Sequence, residues 1–263
     1  MIVIFMQLKF SKYHGTGNDF IMVYNHNDNF SFSQSSVKKM CDRRYGIGAD
    51  GLISIEKTLD ADFKMIYYNA DGFVGSMCGN GARCAVSFAK DIELIQNNCK
   101  FLAYDGMHKG LILENGLVSI EMVDVYLIEV QNNIWKINTG SPHLIYFRDT
   151  ISEIDVKHEG ASIRNSSDYI EDGINVNFVQ LIKNELFIRT YERGVEDETL
   201  SCGTGAVASA IAAYESGLLN IDRIKVNVLG GQLEVLFSKV GSKYSNIYLI
   251  GPTKFIFNGE VDV

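Results

Sequence analysis

The chain of 263 residues has no dense tract of lysine or arginine. Its 24 basic residues are spread among 32 acidic ones, for a formal net charge of -8. This argues against a nucleic-acid partner. It leaves room for a small anionic substrate, because local Arg side chains and helix ends can set the field in a cleft. The five histidines, His14, His26, His108, His143 and His158, are scattered and form no HExxH pattern. Cys78 and Cys84 have no second cysteine pair to join them, so no metal centre is expected. No apolar run approaches the roughly 20 residues needed to cross a bilayer. The apolar start MIVIFMQLKF lacks a basic beginning and a small-residue cleavage site. It therefore reads as a first strand, with the residues before Met6 as an extension, rather than as a leader. The cysteines (Cys41, Cys78, Cys84, Cys99, Cys202) are odd in number and lack the short secreted framework, which points to a reduced, cytoplasmic compartment. The Gly-rich turn at residues 43–51 has no Lys-Ser/Thr partner and no GxGxxG before a helix, so a nucleotide site is not supported.

What the chain does have is a repeat. Cys78-Gly79-Asn80-Gly81 returns as Cys202-Gly203-Thr204-Gly205, each after a strand-like run and before a small-residue helix. At an offset of 124 residues the flanks match without a gap: Phe63–Tyr68 answers Phe187–Glu192, and Asn69 answers Arg193. The length suits two domains of ordinary size. The expected division is an N-terminal domain over 1–124, completed by the C-terminal segment 254–263, and a second domain over 125–253.

Hydrophobic patterning predicts strands at 5–12 and 20–24 around a turn at Gly15–Asp19, a short helix at 33–42, and strands at 51–57 and 63–68. An apolar helix follows at 82–90, then a strand-rich stretch at 99–122 with a hairpin at Asn115-Gly116. In the second half, strands are expected at 126–129, 134–138, 174–179 and 186–191. A weakly patterned helix is expected at 151–166 and an Ala-rich one at 206–214. The last third is strands, ending at 254–257. The fold class is α/β, in two similar strand-rich halves around one very apolar helix each.

Cys78 and Cys202 each stand just before a helix. Unpaired N–H groups and the positive end of the helix dipole both favour a thiolate there. A small buried cysteine beside a tight turn is the plain alternative, and the duplicated context weighs against it. Two such thiols can remove a proton from one face of a carbon and return one to the other, inverting a stereocentre without redox chemistry. The helix ends would also supply donors to a carboxylate as charge develops on it.

The runs HGTGNDF (14–20), CDRRYGIGADG (41–51), NADG (69–72), CGNGARC (78–84), TGSPH (139–143), YERG (191–194) and SCGTGA (201–206) resemble the diaminopimelate epimerase family over nearly the whole chain. The resemblance implies two pseudo-symmetric domains, each a barrel-like shell around a central helix, with the active site in the cleft between them. It implies epimerisation of LL- to meso-diaminopimelate for lysine and peptidoglycan precursors, by two bases and with no pyridoxal phosphate, metal or other cofactor. By position it makes Cys78 and Cys202 the acid/base pair, with His143 and Glu192 in support. It assigns Asn18, Asn69, Asn175 and Arg193 to the distal end of a zwitterionic dicarboxylic diamino acid, and Gly79-Asn80 and Gly203-Thr204 to its reacting end. It further implies a homodimer with neither nucleic acid nor membrane as partner. Three departures stand out: Ser141 where relatives carry Asn, Phe73 where Ser is common, and one extra residue between Arg193 and Cys202. A proline or hydroxyproline racemase of the same fold is the enzymatic alternative. A diaminopimelate-binding protein without turnover is the non-enzymatic one.

Overall fold

The computed structural model describes residues 7–26 and 30–262. The expected strand at 5–12 therefore begins outside the described residues, as does the start at Met1 to Met6. The chain divides into two compact units, Met1–Ile120 with Pro252–Val263, and Glu121–Gly251.

In the first unit, β1 (Gln7–Gly15) and β2 (Asn18–Tyr24) form a hairpin. Its turn is only Thr16-Gly17, both at positive φ (50° and 86°). That geometry matches the twist of a two-residue hairpin and suits Gly at its second position. Helix α1 (Gln34–Cys41) is capped by Ser33, whose hydroxyl accepts from the Ser36 N–H. It leads to β3 (Gly51–Glu56), parallel to β2, and β4 (Phe63–Asn69), antiparallel to β3. Helix α2 (Gly79–Asp91) then crosses to β5 (Asn98–Ala103), parallel to β4, followed by β6 (Gly106–Ile112) and β7 (Val118–Glu121). The chain's final strand, Lys254–Asp262, returns to pair antiparallel with β1. Val37 and Met40 of α1 pack with Leu8, Ile21, Val23 and Leu52 on the sheet face away from α2.

The second unit repeats this order. β8 (Ile128–Gln131), β9 (Ile134–Asn138) and β10 (Pro142–Phe147) are antiparallel neighbours. Helix α3 (Val156–Arg164) connects β10 to the parallel β11 (Asn175–Ile182), which pairs with β12 (Glu185–Glu192). A short β13 (Asp197–Thr199) lies along the end of β12. After α4 (Gly203–Glu215) come β14 (Arg223–Val228), parallel to β12, then β15 (Gly231–Val240) and β16 (Lys243–Gly251). Val207 and Ile211 of α4 are fully buried. Each contributes about 1.5–3 kcal/mol of apolar burial.

Both central helices start a turn earlier than hydrophobic patterning indicates, at the first glycine of each CGxG. The second glycine of each motif lies against the central strand behind it. A Cβ on Gly81 would sit 2.7 Å from Ile53 Cδ1, and one on Gly205 would sit 2.5 Å from Asn177 Oδ1. Ile53 and Asn177 are therefore equivalent, at the same offset as the cysteines.

The gap-free match does not hold along β4 and β12. Phe63 pairs with Phe101 and Leu186 with Val226. Tyr68 faces Leu52 as Tyr191 faces Val176. On this register Phe63 answers Leu186, one residue earlier than the sequence alignment has it, and Asn69 answers Glu192 rather than Arg193. The extra residue sits in the turn that follows. Tyr68 bridges Val74, whereas Tyr191 pairs with Glu198, and Glu196 takes a left-handed φ of 58°.

Candidate active site

In the first unit, Cys78 is the N-cap of α2, held extended at φ -111° and ψ 114°. Its Sγ accepts from the Gly81 N–H at 3.5 Å and lies 3.8 Å from Asn18 Oδ1. That same oxygen accepts from Asn80 Nδ2 at 3.2 Å, while Asn18 Nδ2 donates to Asp50 at 2.7 Å. Asp50 thus fixes which way the Asn18 amide points, with its oxygen toward the thiol. Asp50 is held in turn by Arg43 at 2.7 Å, and Arg43 also grips Asp19, which pairs with the buried Lys12 at 2.7 Å. The two Gly-rich runs at 14–20 and 41–51 are therefore joined by one charged network behind Asn18. Asn69 ends β4, and its carboxamide has no hydrogen-bond partner among the described residues. Phe73 is exposed, and its N–H is satisfied by Asp71.

In the second unit, Cys202 occupies the N-cap position of α4 at φ -120° and ψ 109°, without the side-chain capping hydrogen bond that Cys78 makes. Its Sγ lies 3.5 Å from Thr204 Oγ1, which lies 2.9 Å from His143 Nε2. His143 Nδ1 is 3.1 Å from Asn177 Nδ2, which can only donate, so Nε2 carries the ring proton and offers it to Thr204. Burial, reinforced by the charge of Arg193, lowers the His143 pKa to about 3 and keeps the ring neutral. Asn177 is fixed by Thr190 at 2.9 Å and by the Leu144 carbonyl at 2.9 Å. Thr139 donates to the Thr204 carbonyl at 2.9 Å. Asn175 donates to Ser141 Oγ at 2.8 Å and the Pro142 carbonyl at 3.0 Å, and accepts the Arg193 N–H at 2.9 Å. Arg193 Nη1 donates to the Asp172 carbonyl at 3.0 Å. Its guanidinium meets no carboxylate among the described residues. Glu192 accepts from Thr199 at 2.9 Å.

Each unit thus sets a cysteine at the mouth of a buried helix with side-chain amides beside or behind it. All five cysteines are free thiols. Burial pushes Cys41 and Cys99 up to about 12 and Cys84 higher still, so these three are not proton carriers at neutral pH. No cluster able to hold a metal ion occurs among the described residues, and none of their helices is long and apolar enough to cross a membrane.

A sequence profile of the family described as diaminopimelate epimerase matches residues 10–125 and 135–256. The chain belongs to the diaminopimelate epimerase family. It is 51% identical over 256 residues to the diaminopimelate epimerase of Flavobacterium psychrophilum, covering 97% of this chain and all of that one. It is 40% identical over 255 residues to that of Chlorobaculum tepidum, covering 94% and 98%. Among solved structures, a PhzF-family phenazine biosynthesis protein of Bacillus anthracis superposes with a TM-score of 0.75 at 14% identity, over 98% of this chain and 100% of that one. A hydroxyproline epimerase from Agrobacterium vitis does so at 0.69 and 12% identity, over 98% and 93%. These likenesses establish the double pseudo-symmetric α/β fold of the family.

Several members of the site carry weak sequence signals. Arg83 is fully buried, bonding the Gly79 carbonyl, Asn80 Oδ1 and Thr16 Oγ1. A charged residue inside an otherwise apolar helix was its only mark. Asn177 and Thr190 were marked only by being polar on central strands. Asp50 and Arg43 lie inside a recognised run without an individual signal.

Proposed function

We propose that the chain epimerises diaminopimelate between its LL and meso forms, with Cys78 and Cys202 as the two acid/base groups and each compact unit serving as one epimerase domain. The observation that carries this reading is the pair of buried helices with a cysteine at the N-cap position, one in each unit of a chain that belongs to this family. Inverting a carbon without a redox step needs a base on one face and an acid on the other, and each unit contributes one thiol. The thiolate takes the α-proton, the electron pair moves toward the substrate carboxylate, and the other thiol returns a proton to the opposite face. The N–H groups of Gly79-Asn80 and Gly203-Thr204, at helix N-termini, suit a carboxylate gaining charge.

Thr204 is the group through which neutral His143 reaches Cys202, as a hydrogen-bonded brace and not as a cation. Glu192 supports the same half from the end of β12. For the distal end, Arg193 offers a guanidinium without a carboxylate, suited to a bidentate pair. Asn69 offers an unengaged amide, Asn18 an amide whose direction Asp50 sets, and Asn175 the brace of the Arg193 backbone with one acceptor lone pair to spare. This set fits a substrate with a second amino-acid centre and favours it over a cyclic imino acid. We also propose a homodimer working in the cytoplasm. Family membership supports the dimer, and the five free thiols support a reducing compartment.

Solvent-deuterium exchange at the reacting carbon, followed separately from each stereoisomer, tests the mechanism. Cys78→Ala and Cys202→Ala should each nearly abolish epimerisation, while the remaining thiol still exchanges hydrogen from one isomer. Full epimerisation by either variant would sink the two-base assignment. Binding without any exchange in the parent chain would select the non-enzymatic reading.

A further inference from the structure

Arg83 is a cation with nowhere ordinary to go. It is fully buried in the first turns of α2, and its three hydrogen bonds all reach neutral acceptors: Gly79 O at 3.2 Å, Thr16 Oγ1 at 3.3 Å and Asn80 Oδ1 at 2.9 Å. Its Nε has no acceptor, and no carboxylate pairs with it among the described residues. Buried charges are normally paired. Gly15 packs against the same group: a Cβ there would lie 3.1 Å from the Asn80 carbonyl oxygen and 3.4 Å from Arg83 Nη2.

The strands packed on α2 do not supply the missing anion. β1 brings Lys12, Tyr13 and His14, and β2 brings Asp19, but Lys12 and Asp19 pair with each other and Tyr13 donates to Asp91. β3 and β4 bring Glu56, Lys64, Tyr67 and Tyr68, with Lys64 on Glu56. β6 brings His108, on Asp105, and Lys109. The groups whose charge acts on Arg83 are the thiols of Cys84 and Cys78. Burial keeps Cys84 protonated. Cys78 remains, five residues before Arg83. Asn80 accepts from Arg83 and donates to Asn18 Oδ1, the oxygen that faces Cys78 Sγ. That oxygen by itself favours the protonated thiol, so that any bias toward thiolate falls to the buried charge.

We infer that Arg83 is the built-in counter-charge of the Cys78 thiolate, biasing this thiol toward its basic form before substrate arrives. The device belongs to the first unit alone: five residues after Cys202 stands Val207, fully buried. Burial lowers the Arg83 pKa to about 10, so the guanidinium is still charged at neutral pH. The inference rests on the acid/base reading of Cys78 only for its catalytic consequence, because thiol acidity is measurable without turnover.

The test is the pH dependence of iodoacetamide alkylation, read peptide by peptide by mass spectrometry in the parent chain, Arg83→Lys and Arg83→Gln. Gln retains a donor for Asn80 without the charge, whereas Lys retains the charge without the planar fork. The Cys78 midpoint in the parent should lie below the ordinary thiol value of about 8.5. It should stay near there in Arg83→Lys and rise by about one pH unit or more in Arg83→Gln, with Cys202 unmoved. A parent midpoint at or above the ordinary value overturns the inference, even if Arg83→Gln fails to fold. So does a larger shift in Lys than in Gln, which would mark a purely structural anchor.

Discussion

The neutral, enclosed His143 makes a prediction about stability and pH. The unfolded imidazole titrates near 6.5, whereas burial, with Arg193 adding to it, lowers the folded value to about 3. Between those limits the unfolded chain binds a proton that the folded chain refuses. Stability must therefore fall as pH drops through this interval and level off below it. One pH unit is worth about 1.4 kcal/mol, so going from pH 6.5 to 4.5 should remove roughly 2–3 kcal/mol on account of this residue alone. The chain supplies its own probe. Its one tryptophan, Trp135, lies on β9 opposite Ile145 of β10, two residues from His143. Urea unfolding followed by Trp135 fluorescence at several pH values, for the parent and for His143→Gln, gives two slopes of stability against pH. Carboxylates contribute equally to both, including Asp19, which burial raises but Arg43 and Lys12 hold down to about 2. The variant should be less stable near neutral pH, having lost the contacts to Thr204 and Asn177, yet flatter toward acid. Parallel slopes, or an imidazole resonance titrating near its ordinary value in the folded parent, would refute the reasoning.

The second glycines of the two motifs should differ in their tolerance of a methyl group. Gly205→Ala drives a Cβ to 2.5 Å from Asn177 Oδ1, an amide fixed by Thr190, Leu144 and His143, and should cost about 1–3 kcal/mol together with most activity. Gly81→Ala meets only the movable end of Ile53 and should cost less. Chemical denaturation of both variants decides, and equal losses would contradict the rigid-amide account. Sedimentation velocity tests the dimer, which a single monomer-sized species across the micromolar range would exclude.

Much of this arrangement was legible in the sequence because the features that position the thiols are local. A glycine-flanked cysteine, an Ala-rich apolar run and a strand before them are short-range signals, and they occur twice. Hydrophobic patterning places the helix starts late because glycine weakens helix propensity by about 1 kcal/mol. Tertiary packing on Ile53 and Asn177 overrides that preference at both sites. The one-residue slip between β4 and β12 could not be seen either. Side chains alternate faces along a strand, so pairing and burial, rather than similarity, decide the register. Phe63 and Leu186 both prove to be wholly enclosed. The amide and charge networks behind Asn18 and Cys202 join residues far apart in the chain, and only the fold brings them together.

The last strand, Lys254–Asp262, completes the sheet that begins at Gln7. Ser11 donates to Asn258 across 247 residues of chain, and the Phe10 and Tyr13 rings meet Phe257 and Phe255. During synthesis the first unit therefore emerges with one edge open and must wait for the whole second unit to pass before that edge is covered. Residues 121–251 can close on themselves before the unit that precedes them is finished. An open edge is a template for pairing with another chain, and a contact of such long range forms slowly. Order of assembly thus runs against order of translation, and the nascent β1 edge is the place where a holding chaperone would be most useful.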